Sequence, residues 1–386
     1  MDGRCYGLLG RKLGHSWSVP IHQALGCPDY RLIELEPDAL GDFLRRTDIG
    51  GLNVTIPYKR DVMPYCDEID AAARAIGSVN TIVRRPDGKL YAYNTDAAGF
   101  CYMAQRAGIS FAGRKAVILG SGGASLTAQA CARQLGAREV VVISRSGPDN
   151  YENLSRHADA EIVVNTTPVG MYPVNGAAPV DLTAFPACRG VLDVIYNPRR
   201  TALLQQAEAL DIPCSDGLPM LVAQAKAAEE HFFGTAIPDG ENERILAQLR
   251  QETENIVLIG MPGCGKTTVG QLLSQRTGKT FMDTDAMVEQ AVGMTIPAYF
   301  AAEGESAFRQ REQEAVAAAA GAGGRVIATG GGVILREENL RALRRSGRLV
   351  FLDRSLDKLT AAADLRVDGD GTPEETAAQI EKEWTT

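Results

Sequence analysis

The chain is predicted to be an α/β protein that builds parallel sheet more than once along its length, and three observations carry this. Short β-branched or apolar runs alternate with alanine-rich amphipathic stretches throughout, the pattern of strands each covered by the helix that follows. Two glycine-rich turns, Gly120–Ser125 and Gly260–Thr267, each follow such a run, Lys115–Leu119 and Asn255–Ile259 respectively. No period of about 20–50 residues recurs, which excludes a repeat array.

Length and charge narrow the class. At 386 residues, a guide of about 150 residues per domain gives two or three domains. Hydrophobic content of 45% supports real cores. No apolar stretch approaches the ~20 residues that cross a bilayer, and the start Met1–Gly7 lacks the pattern of a signal peptide. A net charge of −8 argues against nucleic acid or anionic membrane as a main partner. The expected setting is cytoplasmic, and the oligomeric state stays open. Eight cysteines show no C-x-x-C pair, and His15, His22, His157 and His231 show no ligand spacing, so neither disulfides nor a zinc cage is expected. Cys264 stands apart because its loop is aimed at anions, although a small side chain filling a variable position is the simpler reading.

The elements follow in order. Strands are expected at Cys5–Leu9, Tyr30–Glu34, Gly51–Thr55 and Thr81–Arg84, with helices between. A doubly wound unit over 114–219 has strands near Ala116–Leu119, Glu139–Ser144, Ile162–Asn165 and Gly190–Val194. One helix covers 220–234 and packs back on the first lobe. The polar stretch Pro238–Glu243 and a helical Arg244–Thr253 make 235–254 a linker. The last part offers five strands: 256–259, 280–283, 325–329, 349–353 and 365–368.

The first lobe gathers short neutral donors and acceptors at strand ends. These are Ser16 and Ser18 beside His15, Asn53-Val54-Thr55 leading to Lys59, Ser78-Val79-Asn80, and Asn94-Thr95-Asp96. Such groups suit a polyhydroxylated substrate, with one lysine and one aspartate able to do proton work. Singly, each has a duller explanation as a turn cap or a solvated charge. Together with Asp216–Gln224, their order and wording resemble shikimate dehydrogenase over about residues 4–234. The resemblance implies NADPH-linked reduction of 3-dehydroshikimate to shikimate. It implies Lys59 and Asp96 as the catalytic pair, Ser16, Ser18, Thr55, Asn80, Asp96 and Gln224 on substrate, and Tyr196 lining the site.

The turn after Lys115–Leu119 opens a helix and is followed by a second strand, the register of a dinucleotide-binding unit. Gly120, Gly122, Gly123, Ala124 and Ser125 would take the pyrophosphate, and the resemblance adds Gly217. At the end of the next strand, Ser144-Arg145 stands where an acidic residue would grip the ribose of NAD. Arg145 suits a 2′-phosphate and favours NADP, but the following Gly147–Asn150 supplies no second basic residue.

The turn Gly260–Thr267 carries the Lys-Thr ending that grips a nucleoside triphosphate. Gly263, Gly265, Lys266, Thr267 and Thr268 would hold ATP, with Thr267 on Mg²⁺. The strand Thr280–Asp283 then delivers Asp283 and Asp285, one to serve Mg²⁺ and one to orient an attacking hydroxyl. Arg309 offers a planar fork for a carboxylate, and Thr329-Gly330-Gly331-Gly332 exposes successive N–H groups. This set resembles shikimate kinase. It implies Asp285 and Arg309 on shikimate, Asp285 as catalytic, Asp283 near the metal, Gly330–Gly332 (Gly331 at the centre) at the acceptor, and Glu312 orienting Arg309. Shikimate kinases carry an arginine-bearing lid and a further helix before their last strand. Here only Arg354–Asp364 stand between the expected strands, barely the dozen or so residues a parallel crossover needs.

The expected whole is an α/β dehydrogenase followed by a P-loop kinase domain with a five-stranded parallel sheet. The dehydrogenase has a substrate lobe (1–101 plus 220–234) and a Rossmann-type NADP lobe (102–219). A linker (235–254) leads to the kinase domain (255–386). Two alternatives stay open: a quinate or broader polyol-acid dehydrogenase in the first half, and an ATP-binding module without useful turnover in the second.

Overall fold

The computed structural model describes residues 3–14, 16–353, 365–368 and 371–384. It divides into two compact units. The first comprises Met1–Gly170, Ala177–Tyr196 and Leu203–Leu246; the second comprises Met171–Gly176, Asn197–Ala202 and Ala247–Thr386. Among the described residues no helix is long and apolar enough to cross a membrane.

The first unit opens with a six-stranded sheet: β1 (Cys5–Gly10), β2 (Arg31–Glu34), β3 (Ile49–Val54), β4 (Glu68–Ile69), β5 (Thr81–Arg84) and β6 (Leu90–Tyr93), ordered β2-β1-β3-β5-β6-β4. β1 runs parallel to β2 and β3, while β3–β5 and β5–β6 are antiparallel. Every residue of β1 and β3 is buried, as expected of strands covered on both faces. β4 and β6 lie outside the expected strands. The signal for β6 was the turn Pro86-Asp87-Gly88, whose glycine takes φ +81° and whose hairpin closes through Arg85 N–H to Lys89 O at 3.0 Å.

A five-stranded parallel sheet follows: β7 (Lys115–Leu119), β8 (Glu139–Ile143), β9 (Ile162–Asn165), β10 (Gly190–Asp193) and β11 (Cys214–Ser215), ordered β11-β10-β9-β7-β8. Its direction of growth reverses at β7, so the crevice beyond the ends of β7 and β9 is where a ligand belongs. Two helices join this sheet to the first. Asp96–Arg106 packs against Leu218–Phe233 so closely that a Cβ on Gly99 would lie 2.4 Å from Met220 O. Phe100 and Met103 of the same helix are fully buried, each worth about 1.5–3 kcal/mol of transfer free energy. The helix at Leu218–Phe233 starts two residues earlier than expected because Pro219 fits its first turn.

The stretch read as a linker is mostly helix, Gly240–Thr253. It starts ahead of the expected Arg244 because Glu241 and Glu243 occupy its first turn, where acidic side chains favour a helix N-terminus. In the second unit, its last carbonyls converge on Lys279. The ammonium donates to Gln251 O, Glu252 O and Glu254 O at 2.6, 3.1 and 2.9 Å.

The sheet of the second unit is fully parallel: β12 (Asn255–Ile259), β13 (Thr280–Asp283), β14 (Arg325–Ala328), β15 (Gly347–Asp353) and β16 (Leu365–Asp368), ordered β13-β14-β12-β15-β16. β12 is central and wholly buried, and the turn that follows it opens at the middle of the sheet. The segment expected to be too short for a lid, Arg354–Asp364, lies outside the described residues.

Candidate active sites

The first site gathers at the ends of β3, β5 and β6. The chain leaves β3 through Thr55, whose N–H donates to Leu9 O at 2.9 Å. It then turns sharply, with Tyr58 N–H donating to Thr55 O at 2.9 Å. The Tyr58 ring is fully buried, and its hydroxyl donates to Leu35 O at 2.5 Å. Lys59 is therefore carried on an anchored turn, and its own carbonyl accepts from Val79 N–H at 2.9 Å. Its ammonium donates to Asp96 Oδ2 at 2.5 Å, with the two side chains 22% and 14% exposed. That is enough access for a proton to be replaced from solvent. Asp96 begins the helix Asp96–Arg106, whose N-terminal dipole favours its negative charge.

Asn80 and Gln224 meet at 3.4 Å, Nδ2 donating to Oε1, and both are buried. Ser16 Oγ donates to Ser18 Oγ at 3.1 Å and accepts from Ser18 N–H at 3.2 Å. Tyr196 places its ring edge-on to Trp17 at 6.3 Å, and burial pushes its phenol up. His15 lies outside the described residues. Sequence reasoning did not assign Thr81 and Thr95, whose hydroxyls hold the Asn80 carbonyl at 3.1 and 3.2 Å. The available signal was a threonine opening an otherwise apolar strand directly after Asn80.

The dinucleotide turn sits at the switch point. Gly120 takes φ +104°, and a Cβ there would meet Thr166 Oγ1 at 2.9 Å, so only glycine fits. Among the described residues nothing lies within 4 Å of where a Cβ on Gly122 or Gly123 would stand. The helix Gly123–Gln134 begins with no side-chain cap; its first N–H groups are free for a pyrophosphate, and the residues fit that group. Ala124 and Ser125 follow in its first turn; Ser125 is fully buried and its hydroxyl accepts from Gln129 Nε2 at 3.1 Å, so it serves the helix interior. Ser144 N–H donates to Asp149 O at 3.2 Å, closing a loop from which Arg145 projects exposed. Gly217 is buried at the head of the helix Leu218–Phe233 and donates its N–H to Ile195 O at 2.9 Å. Asn165-Thr166-Thr167, at the end of β9, is a polar group that sequence reasoning passed over. Thr166 Oγ1 donates to Leu119 O at 2.6 Å, directly under the glycine turn.

In the second unit, the turn after β12 takes positive φ at Gly260, Gly263 and Gly265. Lys266 folds back over it, donating to Gly260 O and Met261 O at 2.8 Å each, with Cys264 Sγ 3.7 Å away. Thr267 and Thr268 are exposed on the first turn of the helix Lys266–Thr277, which has no side-chain cap. Thr267 Oγ1 donates to Asp283 Oδ2 at 2.8 Å. A hydroxyl and a carboxylate are hard oxygen ligands, and Mg²⁺ takes few of them from protein; the pair fits that ion. Among the described residues no group of three or more His, Cys, Asp or Glu could hold a metal.

Asp283 Oδ1 also accepts from Asp285 N–H at 3.0 Å, capping the helix Thr284–Val292. Burial, reinforced by Asp283 and Glu312, raises the Asp285 carboxyl above its ordinary value. A Cβ on Gly330 would lie 2.4 Å from Asp285 Oδ1, one on Gly331 2.7 Å from Pro262 of the glycine turn, and one on Gly332 2.5 Å from Arg309 Nη1. The glycines thus bring Asp285, the phosphate turn and Arg309 around one space. Arg309 follows a break at Gly304 (φ 80°, ψ 176°) inside Ile296–Ala320. Its guanidinium donates to buried Glu312 at 3.0 Å and lies 5.3 Å from the Phe308 ring centre.

Comparisons with known proteins find relatives for both halves of the chain. Residues 8–82 match the family model "Shikimate dehydrogenase substrate binding domain", and residues 262–383 match "Shikimate kinase". The chain is 34% identical to the shikimate dehydrogenase (NADP(+)) of Clostridium perfringens over 268 residues, 64% of this chain and 98% of that one. A solved chorismate mutase/shikimate 5-dehydrogenase fusion protein from Clostridium acetobutylicum superposes with a TM-score of 0.62 at 34% identity, covering 65% of this chain and 98% of that one. Quinate dehydrogenase from Corynebacterium glutamicum, solved with NAD, gives 0.58 at 26% identity, over 64% and 100%. The chain belongs to the shikimate dehydrogenase family, joined at its C-terminal side to a domain of the shikimate kinase type.

Proposed function

We propose that the first unit reduces 3-dehydroshikimate to shikimate with NADPH, and that the second phosphorylates shikimate from Mg-ATP to shikimate 3-phosphate. The observation that carries the first part is the Lys59–Asp96 pair at 2.5 Å in a site of neutral donors and acceptors. NADPH, when bound, supplies hydride to the substrate carbonyl carbon. Lys59 Nζ donates a proton to the carbonyl oxygen as it gains charge, giving the alcohol, and takes a replacement from water. Asp96 keeps that ammonium aimed and accepts from a substrate hydroxyl. Ser16, Ser18, Thr55, Asn80, Gln224 and Tyr196 bind the substrate; Gly120, Gly122, Gly123 and Arg145 bind the cofactor.

In the second unit Lys266 would leave the Gly260 and Met261 carbonyls for the β- and γ-phosphates, with Thr267 and Asp283 as the magnesium ligands. Asp285 orients the attacking shikimate hydroxyl and takes its proton, a role suited by a raised pKa. Arg309 holds the carboxylate. The domains are those read from the sequence: 1–101 with 220–234, 102–219, 235–254 and 255–386.

A second reading of this half, an ATP-binding module with little turnover, is favoured by one observation. β15 and β16 pair in parallel, Val350 opposite Leu365, and the sequence between them, Arg354–Asp364, is barely as long as a parallel crossover alone requires. A mass-spectrometric assay with 3-dehydroshikimate, NADPH and Mg-ATP tests both halves. Shikimate and its 3-phosphate are expected; no shikimate overturns the dehydrogenase reading, and shikimate without phosphate leaves the binding module. A quinate arm with both cofactors separates the broader dehydrogenase.

A further inference from the structure

Behind the first site lies a chain of buried neutral groups whose hydrogens can be placed. The Thr95 backbone N–H can only donate, and it meets Asn80 Oδ1 at 2.7 Å. The Asn80 carbonyl therefore faces Thr95, and its amide faces the other way, toward Gln224 Oε1. Thr81 Oγ1 lies 3.1 Å from the same carbonyl oxygen and 3.0 Å from Thr95 Oγ1, itself 3.2 Å from that oxygen, so its proton goes to Asn80 directly or by way of Thr95. That leaves Thr81 open to accept from Asn53 Nδ2 at 3.3 Å. The Asn53 carbonyl then faces Tyr30, whose hydroxyl donates to it at 2.7 Å. Every bond points one way, from Tyr30 through Asn53 and Thr81 to Asn80.

The far end is fixed as firmly. Tyr30 stacks on His22 with ring centres 3.8 Å apart and planes within 5°, and His22 Nδ1 meets Glu229 Oε1 at 2.5 Å. Tyr30, Asn53, Asn80, Thr81 and Thr95 are each 4% exposed or less, so water cannot replace a lost member of the chain. An Asn80 amide with fewer donors on its carbonyl is less firmly aimed, and a flipped one would set its carbonyl against Gln224 Oε1, acceptor against acceptor.

We propose that Thr81, held by Asn53 and Tyr30, is a positioning residue for the reaction. Beside the Thr95 N–H and hydroxyl it adds the donor that steadies Asn80 in one amide orientation, so that the site offers N–H to a substrate hydroxyl that donates in turn to Asp96. This rests on the dehydrogenase reading above. One neutral hydrogen bond in such a chain is worth a factor of roughly 2–12 in affinity.

The test titrates shikimate by calorimetry and measures shikimate oxidation with NADP⁺. It uses wild type, Thr81→Val, Thr81→Ser and Tyr30→Phe, with Thr81→Val and Tyr30→Phe repeated in an Asn80→Ala background. Thr81→Val should weaken shikimate about 10-fold and Tyr30→Phe about 3-fold, with the KM for NADP⁺ unchanged. Thr81→Ser should restore wild-type binding, and neither loss should persist once Asn80 is alanine. Losses that remain in full beside Asn80→Ala, or that fall equally on NADP⁺, overturn the inference. If Thr81→Val fails to fold, Tyr30→Phe decides on the same two criteria. A wild type that neither binds nor oxidises shikimate overturns the functional reading itself. A wild type that does both while the folded variants match it overturns only the positioning role.

Discussion

Lys59 Nζ and Asp96 Oδ2 meet at 2.5 Å although one stands on a turn after β3 and the other on the first turn of a helix. Neither depends on the other for its place. Lys59 is tied by its own carbonyl to Val79 and by the neighbouring Tyr58 to Leu35, and the Asp96 helix is locked by Phe100 and Met103 in the core. A pair held from two sides is aligned before substrate arrives, which is where a positioned proton donor gains its rate.

Lys59→Ala should therefore lower dehydrogenase kcat by about 10²–10⁴ while leaving NADPH binding nearly intact. Fluorescence titration of NADPH and steady-state kinetics check both. A variant keeping more than half of wild-type kcat removes Lys59 from the chemistry.

Arg145 is the one basic side chain between Ser144 and Asn150, and it is exposed. Arg145→Ala should raise the KM for NADPH far more than that for NADH, because only NADPH carries the group the guanidinium would grip. Equal changes for the two cofactors would show a surface arginine with no part in selection.

Asp285 should trade stability for function. Burial first, then Asp283 and Glu312, hold its carboxyl pKa above the ordinary 3.8. The folded protein therefore keeps that proton more tightly than the unfolded chain does. The associated stability is full below 3.8 and lost as pH rises through the raised value. Asp285→Asn should raise Tm at pH about 7.5, with a gain that fades as the wild-type carboxyl becomes protonated, and should abolish shikimate phosphorylation. Scanning calorimetry across pH decides; a lower Tm at neutral pH contradicts the sign.

Much of this was legible because the strand signals are strong where both faces are buried. β7, β9 and β12 fall within a residue of their expected bounds, as do the two glycine turns that follow β7 and β12. The short strands were not legible. β4 and β11 have two residues each, too few to show a period, and their pairing is set by neighbours distant in sequence. The start of the helix within the linker was not legible because Gly240, Glu241 and Asn242 look like turn residues singly. Asn242 is in fact buried, and Ile245, Leu246 and Leu249 of the same helix are buried with it, which tertiary contact decides and local propensity does not. At the sites, charged residues announced themselves, whereas Thr81, Thr95 and Thr166 work through contacts between segments distant in sequence, at which a local pattern only hints.

The second unit gives the last prediction. Its glycine turn is whole, so Mg-ADP should bind, and Lys266→Ala should remove that binding if the ammonium is the cation that meets the phosphates. Arg309→Ala should spare the nucleotide. The guanidinium sits beside Gly332, held by buried Glu312, and makes none of the Lys266 contacts with the phosphate turn. Losing its charge-assisted bond to a carboxylate should weaken shikimate by roughly 1.5–3 kcal/mol, about 10- to 150-fold. Phosphoryl transfer should be slow in the wild type, with a raised share of ATP lost to water, if the short sequence between β15 and β16 supplies no lid. Calorimetry of shikimate into wild type and Arg309→Ala, beside a count of ADP formed per shikimate 3-phosphate, measures each part. Unchanged shikimate affinity in the variant takes Arg309 out of the site. A fast reaction with one ADP per phosphorylated product shows that the site excludes water without a lid from this segment.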